Sequence, residues 1–250
     1  MVDFLQTDSG RRIAYHRSAG AGPGVVFLGG FKSDMEGTKA VHLEAWARAN
    51  GRAFLRFDYS GHGQSSGAFE DGAIGDWATD AKAAIAGLTD GPQVLVGSSM
   101  GGWIACLVAR DMPQRVAGLV GIAAAPDFTE DSMWAGFSDA QKAALSDTGR
   151  VELPSEYADS PYVITRRLIE DGRENLVLRT PLAVSRPVRL LQGTADVDVD
   201  VSVALRLLDH IDAADARLTL VKGADHRFSS PECLSLIETA IAEVIAATDA

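Results

Sequence analysis

The stretch that decides the fold is Val94-Leu95-Val96-Gly97-Ser98-Ser99-Met100-Gly101-Gly102, where an apolar run meets a cluster of small residues. The run is typical of a buried strand, and the residues that follow have a helical pattern. Between the two lies the pattern G-x-S-x-G, which marks a sharp strand-to-helix turn with an exposed serine at its centre. Ser99 takes the central position and is the predicted nucleophile. Ser98 is the competing hydroxyl, and a plain helix-capping turn is the alternative interpretation.

On either side of this turn, short apolar runs alternate with longer helical patterns, which indicates a mostly parallel sheet with crossover helices. The later runs are apolar on nearly every residue, as in strands that helices cover on both faces. The first two runs flank a turn at Asp8-Ser9-Gly10 and predict an antiparallel hairpin. The predicted strands are Phe4–Gln6, Ile13–His16, Val25–Leu28, Ala53–Phe57, Val94–Gly97, Leu119–Ile122, Val188–Leu191 and Leu218–Val221.

Helical patterns fill the gaps, so we expect a mostly parallel eight-stranded sheet with helices on both faces. Together with the turn at Ser99, this arrangement predicts an α/β-hydrolase fold. The predicted helices are Gly37–Ala49, Ile74–Leu88, Gly101–Arg110, Ser202–His210 and Glu232–Ala247. From Pro126 to Arg186 the alternation of apolar runs and helical patterns is interrupted. This segment has polar helical stretches, aromatic residues and no clear strand. An insertion of this length often serves as a lid. We therefore predict a core of residues 1–125 and 187–250 and a helical lid insertion over residues 126–186.

The predicted general base is His226, which lies late in the chain on a loop that follows a strand. A serine hydroxyl needs such a base, because it is a weak nucleophile until a neighbouring group takes its proton. A surface histidine is the alternative interpretation of this residue. The other histidines end a strand or a helix, lie within a helix or lie in a glycine-rich loop: His16, His42, His62 and His210.

The predicted acid is Asp196, at the first turn beyond the strand Val188–Leu191. In the chain order of α/β hydrolases the acid comes between the nucleophile and the base, as it does here. Its role would be to fix the imidazole tautomer and stabilise the imidazolium. Asp198 and Asp200 are more typical of acids that begin and cap a helix. Asp225 adjoins the base too closely in sequence to reach its Nδ1 atom easily.

Two backbone N–H groups are expected to stabilise the negative charge of a tetrahedral intermediate. One is the N–H of Met100, directly after the nucleophile. The other is the N–H of Phe31, in the loop Gly29–Lys32 that follows a predicted strand. A plain glycine turn is the alternative interpretation of this loop. The side chains predicted to line the substrate pocket are Phe31, Trp134, Tyr157 and Tyr162.

Composition limits the possible partners and compartments. The chain has 250 residues, 46% of them hydrophobic, and a formal net charge of −11, which disfavours nucleic acid or an anionic membrane as a partner. Cys106 and Cys233 are far apart, so we expect neither a disulfide framework nor a metal site. The sequence lacks a signal-like segment and a membrane-spanning apolar run. It therefore predicts a cytoplasmic protein without stable membrane insertion.

Three stretches, Gly29–Ala40, Arg56–Ser65 and Gly97–Trp103, resemble the family of α/β-hydrolase-domain-containing protein ten. These are mitochondrial acyl-protein thioesterases that are also described as acyl-glucuronide esterases. Ser33-Asp34-Met35 with Gly37-Thr38-Lys39 is the most specific part of the resemblance. The resemblance implies the fold and catalytic triad given above. It also implies activity without a cofactor on acyl esters or thioesters, carried by small molecules or acylated proteins.

The leading hypothesis is thus a serine hydrolase that cleaves ester or thioester bonds through a covalent acyl-serine intermediate. The same triad could also carry out acyl transfer, amide or C–C bond hydrolysis, or cofactor-free perhydrolysis, since these reactions differ in pocket shape and water access. A non-catalytic binding protein with this fold is the third possibility. The acyl chain, the leaving group and the oligomeric state are left open by the sequence.

Overall fold

The protein is described by a computed structural model that covers residues 2–153 and 161–248. Its strands are β1 (Asp3–Gln6), β2 (Arg12–Ser18), β3 (Ala21–Leu28), β4 (Arg52–Phe57), β5 (Gln93–Ser98), β6 (Val116–Ile122), β7 (Arg150–Leu153), β8 (Tyr162–Thr165), β9 (Leu182–Ala183), β10 (Val188–Gly193), β11 (Ile211–Asp212) and β12 (Ala216–Val221). Its α-helices are α1 (Thr38–Ala49), α2 (Ile74–Leu88), α3 (Met100–Asp111), α4 (Asp139–Thr148), α5 (Arg166–Glu174), α6 (Val201–His210) and α7 (Pro231–Thr248). Short 3₁₀ turns lie at Phe69–Asp71 and Pro113–Arg115, and a π-helical turn lies at Thr129–Trp134.

The central sheet of the described chain has eight strands in the order β1-β2-β4-β3-β5-β6-β10-β12. The strand β2 pairs antiparallel with both β1 and β4, and the remaining neighbours pair in parallel. Each strand predicted from the sequence is present in this sheet, and the expected antiparallel hairpin is formed by β1 and β2. The prediction of an eight-stranded, mostly parallel sheet is confirmed.

Helices cover both faces of the sheet, because its inner strands are apolar on both sides. One face packs against α1 and α7 through residues such as Leu43 and Ile241, which are fully buried. The other face packs against α2 and α3, with Trp77 and Trp103 among the fully buried side chains. Burial of such side chains supplies most of the favourable free energy of folding. Within the described residues, no helix has the length and apolar character needed to cross a membrane.

The segment between β6 and β10 differs from its prediction, because it contains strands as well as helices. The strands β7 and β8 form an antiparallel hairpin that pairs Val151 with Ile164, and β9 pairs in parallel with β11. Val151 and Ile164 are buried, whereas Arg150 is exposed, so the hairpin follows the alternation of a half-buried ribbon. The expectation of no strand in this segment was therefore wrong.

Candidate active site

Ser99 lies at the turn between β5 and α3, in a backbone conformation that non-glycine residues rarely adopt. Its φ is +54° and its ψ is −119°, and its N–H donates to the Ile122 carbonyl at 2.9 Å. Residues held in such sparsely populated conformations cluster at functional sites, where the surrounding structure maintains them. The turn directs the side chain of Ser99 toward the loop after β12, whereas Ser98 remains buried within its strand.

The turn is possible because Gly97 and Gly101 lack side chains. A Cβ atom on Gly97 would lie 2.3 Å from the Gly101 carbonyl oxygen, and one on Gly101 would lie 2.0 Å from the Leu28 carbonyl oxygen. Both distances are far shorter than a van der Waals contact. The strand and the helix therefore approach each other closely, and the turn places Ser99 at the N-terminus of α3, where negative charge is favoured.

Three predicted residues form a continuous hydrogen-bonded chain, although 127 positions separate the first from the last. His226 Nε2 lies 3.1 Å from Ser99 Oγ, and His226 Nδ1 lies 2.9 Å from Asp196 Oδ2. The Asp196 side chain is fully buried and that of His226 is 18% exposed. An imidazole that donates Nδ1–H to a carboxylate presents the Nε2 lone pair to the hydroxyl, which is the tautomer that a general base requires.

The carboxylate of Asp196 is held by donors on both oxygens. Its Oδ1 accepts the backbone N–H groups of Asp198 and Val199 at 2.9 and 2.8 Å, and its Oδ2 accepts Gln192 Nε2 at 2.9 Å. Burial alone would raise the pKa of this carboxyl group, but the hydrogen bonds, above all the one from His226, outweigh burial and hold the pKa below its usual range. The side chain is therefore anionic at neutral pH. The contribution of Gln192 was not anticipated from the sequence.

Two of the three competing acids, Asp200 and Asp225, have structural partners. Asp200 caps α6 and accepts the N–H of Ser202 at 2.8 Å, as expected for a helix-capping residue. Asp225 accepts the N–H of Phe228 at 3.1 Å within its own turn. The arrangement thus brings Asp196, rather than either of these residues, against the imidazole of His226.

The two predicted oxyanion donors belong to segments that lie next to the nucleophile. Met100 is the first residue of α3, so its N–H lies among those that have no acceptor within the helix. The loop after β3 carries Phe31, and its neighbour Gly30 passes so close that a Cβ atom there would lie 3.5 Å from Ser99 Cβ. The loop after β3 therefore runs beside Ser99, and α3 begins directly after it.

His62, which the sequence placed only in a glycine-rich loop, lies beneath the loop after β3. It is 3% exposed, and its Nε2 atom accepts the backbone N–H of Lys32 at 3.2 Å. Asp58 holds the same loop further along, where its Oδ1 accepts the N–H of Met35 at 2.6 Å. The pattern of Asp58, Gly61 and His62 was visible in the sequence. Its function of supporting a neighbouring loop was not, because the partners are backbone groups.

Lys39 connects the start of α1 to the loop that carries the imidazole. Its ammonium group donates to the carbonyl of Arg227, the residue directly after His226. Burial lowers the pKa of this ammonium group to about 8, and nearby Asp225 opposes the shift. The stretch Gly37-Thr38-Lys39, recognised in the sequence without a role, therefore supplies a tether for the loop of the predicted base.

Four aromatic rings surround that of Phe31. The centroids lie 4.9 Å away for Phe69, 5.6 Å for Phe128, 5.9 Å for Trp77 and 6.1 Å for Tyr162, all in edge-to-face geometry. Phe128 and Tyr162 belong to the segment between β6 and β10, so this segment contacts the loop after β3 directly. The structure therefore brings two of the predicted pocket residues, Phe31 and Tyr162, together.

A third predicted pocket residue, Trp134, does not join this cluster. Trp134 packs edge-to-face against Phe137, and its ring lies beneath Arg173 at 4.6 Å and Lys142 at 5.4 Å. These partners belong to the inserted segment itself. Tyr157 lies outside the described residues, so its predicted role is left as a prediction.

A cation site at the same place is geometrically conceivable, because Asp196, Asp198 and His226 have ligating atoms within 4.8 Å of one another. Both ring nitrogens of His226 and both carboxylate oxygens of Asp196 already have hydrogen-bond partners. The arrangement is suited to proton transfer from the hydroxyl of Ser99, since the imidazole lies between a hydroxyl and a carboxylate.

Lowering the pH from 7 to 4 is expected to reduce the free energy of unfolding by up to about 3 kcal/mol through His62 alone. Burial lowers the pKa of this imidazole from 6.5 to about 4. Between these values the unfolded chain binds the proton more readily than the folded chain does. Stability from this residue is therefore present above pH 6.5 and is lost as the pH falls toward 4. The groups that face the imidazole are the rings of Tyr59, Phe69 and Trp77 and the backbone of Ser60 and Lys32.

Urea unfolding of the wild type and His62→Gln at several pH values between 4 and 7 measures this contribution. The quantity compared is the change in the free energy of unfolding between pH 7 and pH 4 within each protein. A loss of stability that is the same at every pH in the variant therefore does not affect the comparison. The wild type should lose more stability on acidification than the variant does. Equal losses would show that His62 does not titrate in this way.

A mostly parallel sheet, a serine on a sharp strand-to-helix turn and the chain order serine, aspartate, histidine define the class of α/β hydrolases. The chain belongs to the alpha/beta hydrolase family, whose sequence profile matches residues 25–247. It is therefore a hydrolase, and the expected fold class is confirmed.

Individual proteins that are similar to this chain give more detail than the family profile. The mitochondrial palmitoyl-protein thioesterase ABHD10 of Bos taurus is 34% identical over 245 residues, which cover 98% of this chain and 80% of that protein. The solved structure of alpha/beta hydrolase domain-containing protein 10 from mouse superposes with a TM-score of 0.91 at 33% identity and covers 98% of both chains. A crystallised protein from Agrobacterium vitis S4 superposes with a TM-score of 0.92 at 42% identity and equal coverage. The family resemblance seen in the sequence is confirmed.

The expectation of a cytoplasmic protein is contradicted by these comparisons. The relatives from Bos taurus, Rattus norvegicus, Mus musculus and Homo sapiens, 33–35% identical to this chain, are all named as mitochondrial proteins. The expectation rested on two distant cysteines and on the lack of a signal-like segment and of a membrane-spanning apolar run. These properties do not distinguish one aqueous compartment from another, which is why the inference failed.

Proposed function

We propose that the protein hydrolyses acyl esters and acyl thioesters through a covalent acyl intermediate on Ser99. The observation that carries this proposal is the hydrogen-bonded chain in which His226 lies 3.1 Å from Ser99 Oγ and 2.9 Å from Asp196 Oδ2. An activated serine is the nucleophile of acyl transfer in many unrelated folds, and it is recognised by this geometry rather than by sequence position.

The reaction proceeds in two halves. In the first, His226 takes the proton of Ser99 while the Oγ atom attacks the carbonyl carbon, and then gives that proton to the departing alcohol or thiol. In the second, His226 takes a proton from water, which attacks the acyl-serine. It then returns that proton to Ser99 Oγ as the acyl–oxygen bond breaks and the carboxylic acid leaves. Asp196 remains ionised throughout and stabilises the imidazolium that forms in each half.

The backbone N–H groups of Phe31 and Met100 stabilise the negative oxygen of both tetrahedral intermediates. Such preorganised donors act where charge develops, and loss of one lowers the rate about 10²- to 10³-fold in serine hydrolases. The position of Met100 at the start of α3 adds the favourable field of the helix terminus.

The substrate is an acyl group with a substantial apolar part. The rings of Phe31, Phe69, Phe128 and Tyr162 lie together beside the proposed oxyanion donor and supply an apolar, aromatic lining. Residues 126–186 act as a lid on this side of the core of residues 1–125 and 187–250, since Phe128 and Tyr162 reach the loop of Phe31. Relatives named palmitoyl-protein thioesterase support a thioester of a long acyl chain as one substrate.

A panel of p-nitrophenyl esters and acyl thioesters from acetyl to palmitoyl tests this proposal. We expect hydrolysis of both classes, with kcat/KM for an octanoyl substrate at least about tenfold above that for acetyl, because each buried CH₂ contributes up to about 0.8 kcal/mol. The Ser99→Ala variant controls for contaminating activity. Absence of hydrolysis across the whole panel by the wild type, with folding verified by circular dichroism, would contradict the proposal.

A further inference from the structure

The loop that carries the proposed oxyanion donor Phe31 is fixed at the peptide groups on both sides of that residue. The direction of a backbone N–H is set by the plane of its own peptide group, which is rigid, and fixing the next peptide group as well restricts rotation about the Cα atom between them. The side chains that hold these two planes therefore determine where the Phe31 N–H points.

The first plane, between Gly30 and Phe31, is held through its carbonyl oxygen. Ser33 donates to the Gly30 carbonyl twice, from its backbone N–H at 3.2 Å and from its Oγ at 2.8 Å. In a trans peptide the carbonyl and the N–H point in opposite directions. Holding the Gly30 oxygen toward Ser33 therefore directs the N–H of Phe31 away from Ser33.

The second plane, between Phe31 and Lys32, is held through the Lys32 N–H, which donates to His62 Nε2 at 3.2 Å. Lys32 has a φ of +58°, a left-handed conformation that is unfavourable for a residue with a side chain and persists only when its surroundings maintain it. His62 is the partner in the described chain that meets this N–H.

His62 is itself held in the orientation and tautomer that this contact requires. Its Nδ1 atom lies 3.2 Å from the Ser60 carbonyl and therefore donates, which leaves Nε2 as an acceptor. Ser60 is in turn fixed through its N–H and Oγ, which donate to the buried carboxylate of Asp80 at 2.9 and 2.6 Å. The indole N–H of Trp77 also donates to the Ser60 carbonyl, at 3.1 Å. The acceptor is thus preorganised by a buried network that does not touch Ser99.

We propose that His62 is a positioning residue that, together with Ser33, keeps the Phe31 N–H aimed at the developing oxyanion. The proposal rests on the proposed function, since it assigns no chemistry of its own to His62. The imidazole contacts the Lys32 N–H and does not contact the reacting atoms. Its loss should therefore weaken binding of the transition state and leave binding of the substrate nearly unchanged.

The test compares His62→Phe, which keeps an aromatic ring but removes the acceptor, with His62→Gln, whose Oε1 can accept the Lys32 N–H. For His62→Phe we expect kcat to fall about 10- to 100-fold with KM within about threefold, since a misdirected donor loses part of the effect of a deleted one. Affinity for an alkyl boronic acid, which forms a tetrahedral adduct on serine, should fall by the same factor as kcat/KM. His62→Gln should recover most of each loss.

The proposal is overturned if a folded His62→Phe keeps kcat and boronic acid affinity within about twofold of the wild type. It is also overturned if His62→Gln is as impaired as His62→Phe, because the acceptor would then be irrelevant. Thermal unfolding of each variant separates these results from a general loss of structure.

Should His62→Phe fail to fold, Ser33→Ala provides the second measurement. Ser33 is exposed and its backbone N–H is retained in the variant, so we expect a smaller loss of kcat, about three- to tenfold, which Ser33→Thr restores. Asp34→Ala is the matched control in the same loop, because the Asp34 carboxylate accepts the N–H of Glu36 and not a peptide next to Phe31. An equal loss in Asp34→Ala and Ser33→Ala would contradict the proposal.

Ser99→Ala distinguishes the failure of this inference from the failure of the proposed function. If Ser99→Ala is inactive while His62→Phe and Ser33→Ala retain full kcat, the positioning roles of His62 and Ser33 are wrong and the proposed function stands. If Ser99→Ala retains full activity, the proposed function is wrong, and the inference falls with it.

Discussion

Replacement of Ser99 by alanine is expected to lower kcat for ester and thioester hydrolysis by about 10⁵- to 10⁶-fold, as removal of a catalytic serine does in other serine hydrolases. The Oγ atom of Ser99 forms the bond to the acyl group. Among the described residues, it is the hydroxyl oxygen that lies within hydrogen-bond distance of His226, at 3.1 Å from Nε2. Residual activity should change little on further substitution of His226, because triad residues act as a unit and their losses are not additive. The measurement is initial rate on a p-nitrophenyl ester and an acyl thioester.

Ser98→Ala is the matched control for this substitution. Ser98 adjoins the nucleophile but is 6% exposed and belongs to β5. We expect Ser98→Ala to retain activity within about fivefold of the wild type, because most substitutions outside the reacting groups have modest effects on the transition state. Full activity in Ser99→Ala, or loss of activity only in Ser98→Ala, would show that the nucleophile has been assigned to the wrong residue.

Replacement of Asp196 by asparagine is expected to lower kcat by about 10⁴-fold while leaving the fold intact. The carboxylate accepts the Nδ1–H of His226, which keeps the Nε2 atom unprotonated. An asparagine amide can donate to Nδ1 instead, and the imidazole would then carry its proton on Nε2. In that tautomer it cannot take the proton of Ser99, so the nucleophile is not activated.

Asp198→Asn is the control, since Asp198 is the nearest competing acid. It contributes its backbone N–H to Asp196 Oδ1 at 2.9 Å, and this contact survives the substitution. We expect activity within about threefold of the wild type, in keeping with a side chain outside the proton relay. An inactive Asp198→Asn beside an active Asp196→Asn would reverse the assignment of the acid.

The sheet and the three central residues could be predicted from the sequence, because their signals are local. Each buried strand is a short apolar run, and the turn at Ser99 requires glycines at fixed offsets. His226 and Asp196 were found because each follows a strand in the chain order of the class. Their meeting follows from the parallel sheet, which collects the carboxyl ends of its strands at one edge.

The hairpin of β7 and β8 could not be predicted in the same way. Its strands have four residues each, and Arg150 and Glu152 occupy alternate positions, so the run is neither long nor apolar. Their pairing joins residues that are separated by an intervening stretch of chain. Such short ribbons are stabilised by tertiary packing, which local pattern does not reveal.

The roles of His62, Gln192 and Lys39 escaped prediction for a different reason. His62 and Lys39 form hydrogen bonds to backbone groups that are distant in sequence. Gln192 donates to the carboxylate of Asp196, and this contact depends on the folded loop. The pocket role of Trp134 stays a prediction. Its aromatic character suggested a substrate pocket, but its ring packs beneath Arg173 and Lys142 within the inserted segment.

Peptide mapping of the protein after treatment with a fluorophosphonate probe is the most direct test of the proposed nucleophile. Mass spectrometry should find a single adduct, on the peptide that contains Ser99, with fragment ions that place it on that residue rather than on Ser98. Labelling should be lost in Ser99→Ala and strongly slowed in His226→Ala. A folded wild-type protein that acquires no adduct, or acquires it at another residue, would contradict the proposed mechanism.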